Sequence, residues 1–133
     1  MLKNTVITTV LLVGLFLALE KLGVVTAAGA HPFWATNVAY IGIVIGIICS
    51  ICASILMNRV SGISAWVLLF LIATSIAIGI ITLFYGKAEF AASYAENALA
   101  GSVWYIGFMF LIGSVFTTIF VFTRIWSISK FRK

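Results

Sequence analysis

From Ala35 to Met57 the chain runs for 23 residues without one charged side chain. Roughly 20 helical residues cross a hydrocarbon core about 30 Å thick, so a run of this length reads as a membrane span. Three more runs have the same character: about 5–28, interrupted by Glu20 and Lys21, then 63–85 and 102–123. All four are continuously apolar, whereas the strands of a membrane barrel alternate apolar and polar residues. Helices satisfy their own backbone hydrogen bonds in lipid, so the four runs are read as helices. With 64% hydrophobic and 8% charged residues, the chain has too little polar surface for a water-soluble domain. The expected fold class is an all-α integral membrane protein. It is a four-helix transmembrane bundle forming a single domain over residues 1–133, with one short amphipathic helix on its outer surface.

The connections are short. Residues 29–34 carry the chain's one proline, Pro32, which blocks helix continuation and biases His31 away from the α region. Residues 58–62 form a compact turn, with Ser61 or Ser64 placed to cap the third helix. In the third connection Phe90, Tyr94 and Ala98 recur every fourth residue. That spacing predicts the surface helix over 88–100.

The basic residues orient the chain. With four spans both termini lie on one side, and Lys3, Arg59, Arg124, Lys130, Arg132 and Lys133 fall there, while Lys21 and Lys87 fall on the other. This bias favours cytoplasmic termini. Arg124, Lys130, Arg132 and Lys133 form a basic end suited to anionic lipid headgroups. The net charge of +5 therefore points to lipid rather than to nucleic acid. Trp34, Trp66, Trp104 and Trp126 each fall near a span end, where indole prefers the interface. The Ala28-Gly29-Ala30 triplet resembles a signal-peptidase site, but the eleven residues from Glu20 to Ala30 make a long approach to it. The first span is read as a retained signal-anchor helix.

Glu20 and Lys21 are the candidate intramembrane charges. Glu20 lies about 24 Å along the first span, inside the far boundary of the bilayer. Three uses are open: both side chains snorkel to the headgroups, the pair bridges to another subunit, or Glu20 is a transport carboxylate. Being adjacent on a helix, the two residues point about 100° apart. In size, span count and Glu20 the chain is similar to small multidrug transporters, which carry one glutamate in the first of four helices. Its third span, Ala65 to Tyr85, lacks that family's glycine-rich packing motif and inward aromatic pattern, and Glu20 lies late in its helix.

Gly42, Gly46, Ser50 and Ser54 place a small residue at every fourth position of the second span. Such a stripe lets helix backbones approach closely, within the chain's own bundle or against a partner. On the fourth span Gly107 pairs with Ser114 and Gly113 with Thr117; the third offers Ala73 and Ala77. Cys49 and Cys52 have CxxC spacing, but in an apolar span they read as packing residues. His31 is the chain's one histidine, and a single imidazole makes neither a bis-histidine haem site nor a metal pair.

No span centre carries a charge, and the sequence holds no phosphate loop and no nucleophile–base pair. The expectation is a non-catalytic accessory subunit of a larger membrane complex of respiratory, photosynthetic or monooxygenase type. Its expected partners are other integral membrane subunits and lipids, with bound lipid but no catalytic site, cofactor or metal. A small homo-oligomeric transporter using Glu20 and a holin-like pore former are the alternatives.

Overall fold

The computed structural model describes residues 2–59 and 65–130, and the described chain is all helix and turn. Five helices follow one another: α1 (Leu2–Lys21), α2 (Val24–Ala27), α3 (Ala35–Arg59), α4 (Ala65–Ala92) and α5 (Ala98–Lys130). All but α2 contain a stretch long and apolar enough to cross a membrane. At about 1.5 Å per residue, the 33 residues of α5 reach some 50 Å, well beyond a hydrocarbon core. The expected turn at 58–62, with its Ser61 or Ser64 cap, lies largely outside the described residues, as do Arg132 and Lys133.

Helix α5 is the spine. It packs α4 along one side and α3 along another, while α1 packs on α3 and less on α5. Paired positions give the directions. Gly42 meets Ile112 and Gly46 meets Phe116, so α3 and α5 run parallel; Gly86 meets Trp104 and Gly79 meets Leu111, so α4 runs against α5. One end of the molecule holds the start of α1 and the end of α5, here called the terminal end. The other holds residues 22–34 and the α4–α5 turn, here called the loop end.

Close backbone approach holds these helices together, because lipid leaves little hydrophobic drive for association. A Cβ built on Gly46 would stand 2.7 Å from Phe116 Cβ, and one on Gly42 the same distance from Ile112 Cβ. Gly113 answers from α5, where a Cβ would lie 2.8 Å from Ile45 Cγ2. Against α4, Gly107 lies over the Leu83 backbone and Gly86 over that of Trp104. The small-residue stripe of the second span is thus filled from within the chain. On α4 the contact face is Ser75, Gly79, Leu83 and Gly86, whereas Ala73 and Ala77 face outward. A helix apolar on all sides gives no periodic signal to choose between these faces.

Two buried clusters fill the interfaces. Val38, Ala39, Leu83, Trp104, Phe108 and Ile112 meet toward the loop end, and Leu12, Ile43, Leu68, Phe116, Phe120 and Val121 toward the terminal end.

The first span is interrupted. Helix α1 ends at Lys21, Gly23 takes a left-handed φ of 73°, and the single turn α2 follows. Gly23 can end the helix because it has no Cβ to clash. The stretch 88–100 is not a helix of its own. Residues 88–92 finish α4 and 98–100 begin α5, with a tight turn between. Ser93 Oγ donates to the Phe90 carbonyl and accepts from the Asn97 N–H, and Asn97 Oδ1 caps α5 by accepting from the Ala100 N–H at 3.1 Å. These side-chain bonds stop the amphipathic spacing from propagating.

Candidate functional site

One cluster of polar or ring contacts between helices lies at each end of the bundle. At the loop end, Glu20 is carried by the last turn of α1 and Thr36 by the first turn of α3. Thr36 Oγ1 donates to Glu20 Oε1 at 2.7 Å. The Glu20 side chain keeps 9% of its exposure, whereas Lys21 keeps 73%. The Lys21 side chain therefore stands open on the surface and that of Glu20 does not. Lys21 Nζ also comes within 3.5 Å of Glu20 Oε2, although the two residues are adjacent. The angular argument from an ideal helix fails here because Lys21 is the final residue of α1 and its long stem is free to fold back. The start of α3 adds the positive end of a helix dipole beside the carboxylate.

An aromatic cluster fills the rest of the loop end. Trp34, at the entry to α3, meets Trp104 at 5.1 Å, Tyr105 at 5.2 Å and Phe108 at 6.0 Å between ring centroids, all edge to face. Phe90, from the end of α4, adds a ring 5.9 Å from Trp104. Pairs of this kind contribute about 0.5–1.5 kcal/mol each beyond the area they bury. Gly101 makes room for Phe90, since a Cβ there would lie 3.1 Å from the ring. Lys87 Nζ stands 5.8 Å from the Trp104 ring centroid, within cation–π range.

His31 lies exposed in the connecting loop, stacked on Trp34 at 6.3 Å and edge-on to Trp104 at 6.2 Å. Its Nδ1 accepts the Phe33 N–H at 3.2 Å. In the neutral ring the proton then sits on Nε2, which becomes a donor. Trp104 is 7% exposed, and its indole N–H is buried without an acceptor. Two of the tryptophans read as interfacial anchors, Trp34 and Trp104, thus meet in one cluster. The signal was present in Trp104, Tyr105 and Phe108, spaced one and three residues apart on α5, but only the fold brings Trp34 and Phe90 to them.

At the terminal end Arg124 is half-buried. Its Nη1 donates to Ser54 Oγ on α3 and, at 3.4 Å, to Thr5 Oγ1 on α1. Expected as a headgroup contact, Arg124 also ties three helices together through this nitrogen. Lys130 is the last residue of α5. Ser50 is 1% exposed and its hydroxyl has no partner, while Thr117 donates to the Gly113 carbonyl of its own helix at 2.8 Å.

The middle of the molecule offers little chemistry. Thr9, Thr74, Thr82 and Thr118 each donate to a carbonyl of their own helix. Ser75 and Ser114 hydrogen-bond to each other across α4 and α5 at 2.9 Å. Cys49 and Cys52 are exposed on the outward face of α3 rather than packed inside. Among the described residues no three His, Cys, Asp or Glu side chains come together as a metal site would need. No family model, curated protein or solved structure matches the chain.

Proposed function

We propose that this chain is a non-catalytic subunit of a larger membrane assembly, set among other integral membrane chains and lipids. One observation carries this reading: α1 and α4 use little of their surface on their own chain. Only 6% of the apolar span of α1 and 22% of that of α4 is buried, against 39% for α3 and 44% for α5. The outward side of α4 shows Phe70, Leu71, Ile78 and Ile81, and that of α1 shows Val6, Val10 and Leu11, all well exposed. A four-helix unit built around α5, with α1 lightly held and α4 fixed along one side only, suits lateral packing against other spans. The small-residue stripe on α3 does not supply that contact, because α5 fills it.

The mid-span hydroxyls support the same reading, since their bonds stay inside the chain. Glu20 supports transport less well, because Thr36 and Lys21 engage it. The proposed setting is a prokaryotic cell membrane with both termini cytoplasmic, as the distribution of Lys and Arg favours. Bound lipid is part of the proposal, and cofactor, metal and catalysis are not assigned to this chain.

Native mass spectrometry of the tagged chain, extracted from its own membranes in mild detergent, tests the proposal. Recovery at fixed stoichiometry with other membrane chains is expected. Recovery as a homo-oligomer that carries flux in liposomes, with the flux abolished by Glu20→Gln, would replace it with the transport reading. Dye entry and growth arrest on expression would replace it with pore formation.

A further inference from the structure

The loop end also carries a cavity that the subunit reading does not use. It is an open groove of about 390 Å³ lined by His31, Phe33, Trp34, Phe90, Trp104 and Tyr105. Ligand pockets run from roughly 300 to 1,000 Å³ and combine apolar walls with a few polar groups. Trp104 stands six residues into α5, about 9 Å from the helix start. That places the cavity at interfacial depth, where a ligand can leave a tail in lipid and bring its head to the rings.

Its walls select for head-group chemistry. None of the residues lining it is Asp, Glu, Lys or Arg, so it offers no ion-pairing group. A cation gains no carboxylate there, and the Lys87 ammonium already stands over the Trp104 ring. The polar groups on hand are the His31 imidazole and the hydroxyls of Tyr105 and Ser102, of which Ser102 already donates to the Ala98 carbonyl. His31 accepts at Nδ1 from Phe33, which leaves its Nε2–H to donate. Tyr105 brings a hydroxyl that can donate, whereas the Trp104 indole N–H is buried behind the wall and offers the cavity only its ring. Donors among edge-to-face rings call for a flat ring that carries an acceptor oxygen.

We infer that this cavity binds an uncharged planar ring bearing a carbonyl, the head-group chemistry of a membrane quinone, with His31 Nε2–H donating to the carbonyl oxygen. The ring packs among Trp34, Trp104 and Tyr105, and the tail leaves past Phe33, which is 89% exposed. The inference is independent of the subunit reading, because the cavity lies wholly within one chain.

Thermal unfolding of the full chain in mild detergent, titrated with a decyl-substituted benzoquinone, tests it. The expected result is a melting temperature that rises and saturates. The apparent affinity should be roughly tenfold weaker in His31→Ala, the loss of one hydrogen bond. Phe33→Ala should weaken it as well. His31→Ala also removes ring contacts to Trp34 and Trp104, whereas the exposed Phe33 side chain can be truncated without touching the packed core. Decylbenzene, which has ring and tail without the carbonyl, should give no saturable rise. Equal stabilisation by decylbenzene would overturn the inference in favour of nonspecific filling. Saturable stabilisation by tetramethylammonium and not by the quinone would overturn it in favour of a cation cage. A quinone effect unchanged in both variants would place the binding elsewhere and overturn it too.

Discussion

The Thr36 hydroxyl donates to Glu20 Oε1 at 2.7 Å and so fastens the end of α1 to the first turn of α3. This bond adds to the packing of Leu12 and Phe16 and to the Arg124–Thr5 contact, which hold α1 along the rest of its length. Glu20→Gln keeps an acceptor oxygen in place and should unfold close to the parent. Thr36→Val removes the donor and leaves a carboxylate that is 9% exposed short of a partner. It should cost about 1 kcal/mol, near the upper part of the range for polar contacts between membrane helices. Thermal unfolding of the three proteins in one detergent checks the order. A Glu20→Gln protein less stable than Thr36→Val would show that the charge, not the hydrogen bond, does the holding.

Glycines of the same helical type should respond very differently to one added methyl. Gly46→Ala drives a Cβ to within 2.7 Å of Phe116, a ring that is itself fully buried, and should cost about 1–3 kcal/mol by overpacking. Gly86→Ala meets the Trp104 backbone nitrogen at 2.5 Å and should be at least as costly, since backbone cannot rotate away. Gly14→Ala meets nothing within 4 Å and should be neutral or slightly stabilising through helix propensity. Denaturant titration of the three variants separates these cases. Equal losses at Gly14 and Gly46 would mean that the α3–α5 approach is not close.

The four spans were legible because uncharged runs of helical length leave a chain no other way to satisfy its backbone in lipid. The stripe at Gly42, Gly46, Ser50 and Ser54 was legible as a contact face, and the fold decides that α5 fills it. What stayed hidden depended on local chemistry or on long-range meeting. Gly23 divides the first span, yet a glycine in an apolar run is also tolerated within a helix. The cap at Asn97 stayed hidden because the four-residue spacing of Phe90, Tyr94 and Ala98 runs across it. Arg124 sits among basic residues at the terminal end of its span, and nothing in the sequence pairs it with Ser54, 70 positions away, or with Thr5, 119 positions away.

The turn between α4 and α5 stores strain that a substitution can release. Tyr94 and Ala95 take φ values of 54° and 67°, the left-handed region that side chains disfavour. Such a residue costs roughly 1–2 kcal/mol, and glycine avoids that cost while losing more freedom on folding. Ala95→Gly should therefore raise stability by a few tenths to about 1 kcal/mol. Asn97→Ala removes the cap bond to the Ala100 N–H and should lower it by about 1 kcal/mol. Opposite shifts in melting temperature for two residues so close in sequence would be hard to obtain unless the turn has this conformation.

Arg124 should govern how closely α1 stays on the bundle at the terminal end. Its guanidinium reaches Ser54 on α3 and Thr5 on α1 from one nitrogen. Arg124→Lys keeps the charge but replaces the planar fork with a point donor. If the residue served headgroups alone, Lys would substitute for it almost fully, and the distance between α1 and α3 would not change. As a tie between helices, Arg124→Lys should loosen α1 and Arg124→Gln should loosen it further. Spin labels at Val6 on α1 and Leu56 on α3, both exposed, read that distance in bilayers. The expected result is a broadened distribution at longer distances in both variants. An unchanged distribution in Arg124→Gln would remove the tie and return Arg124 to the lipid surface.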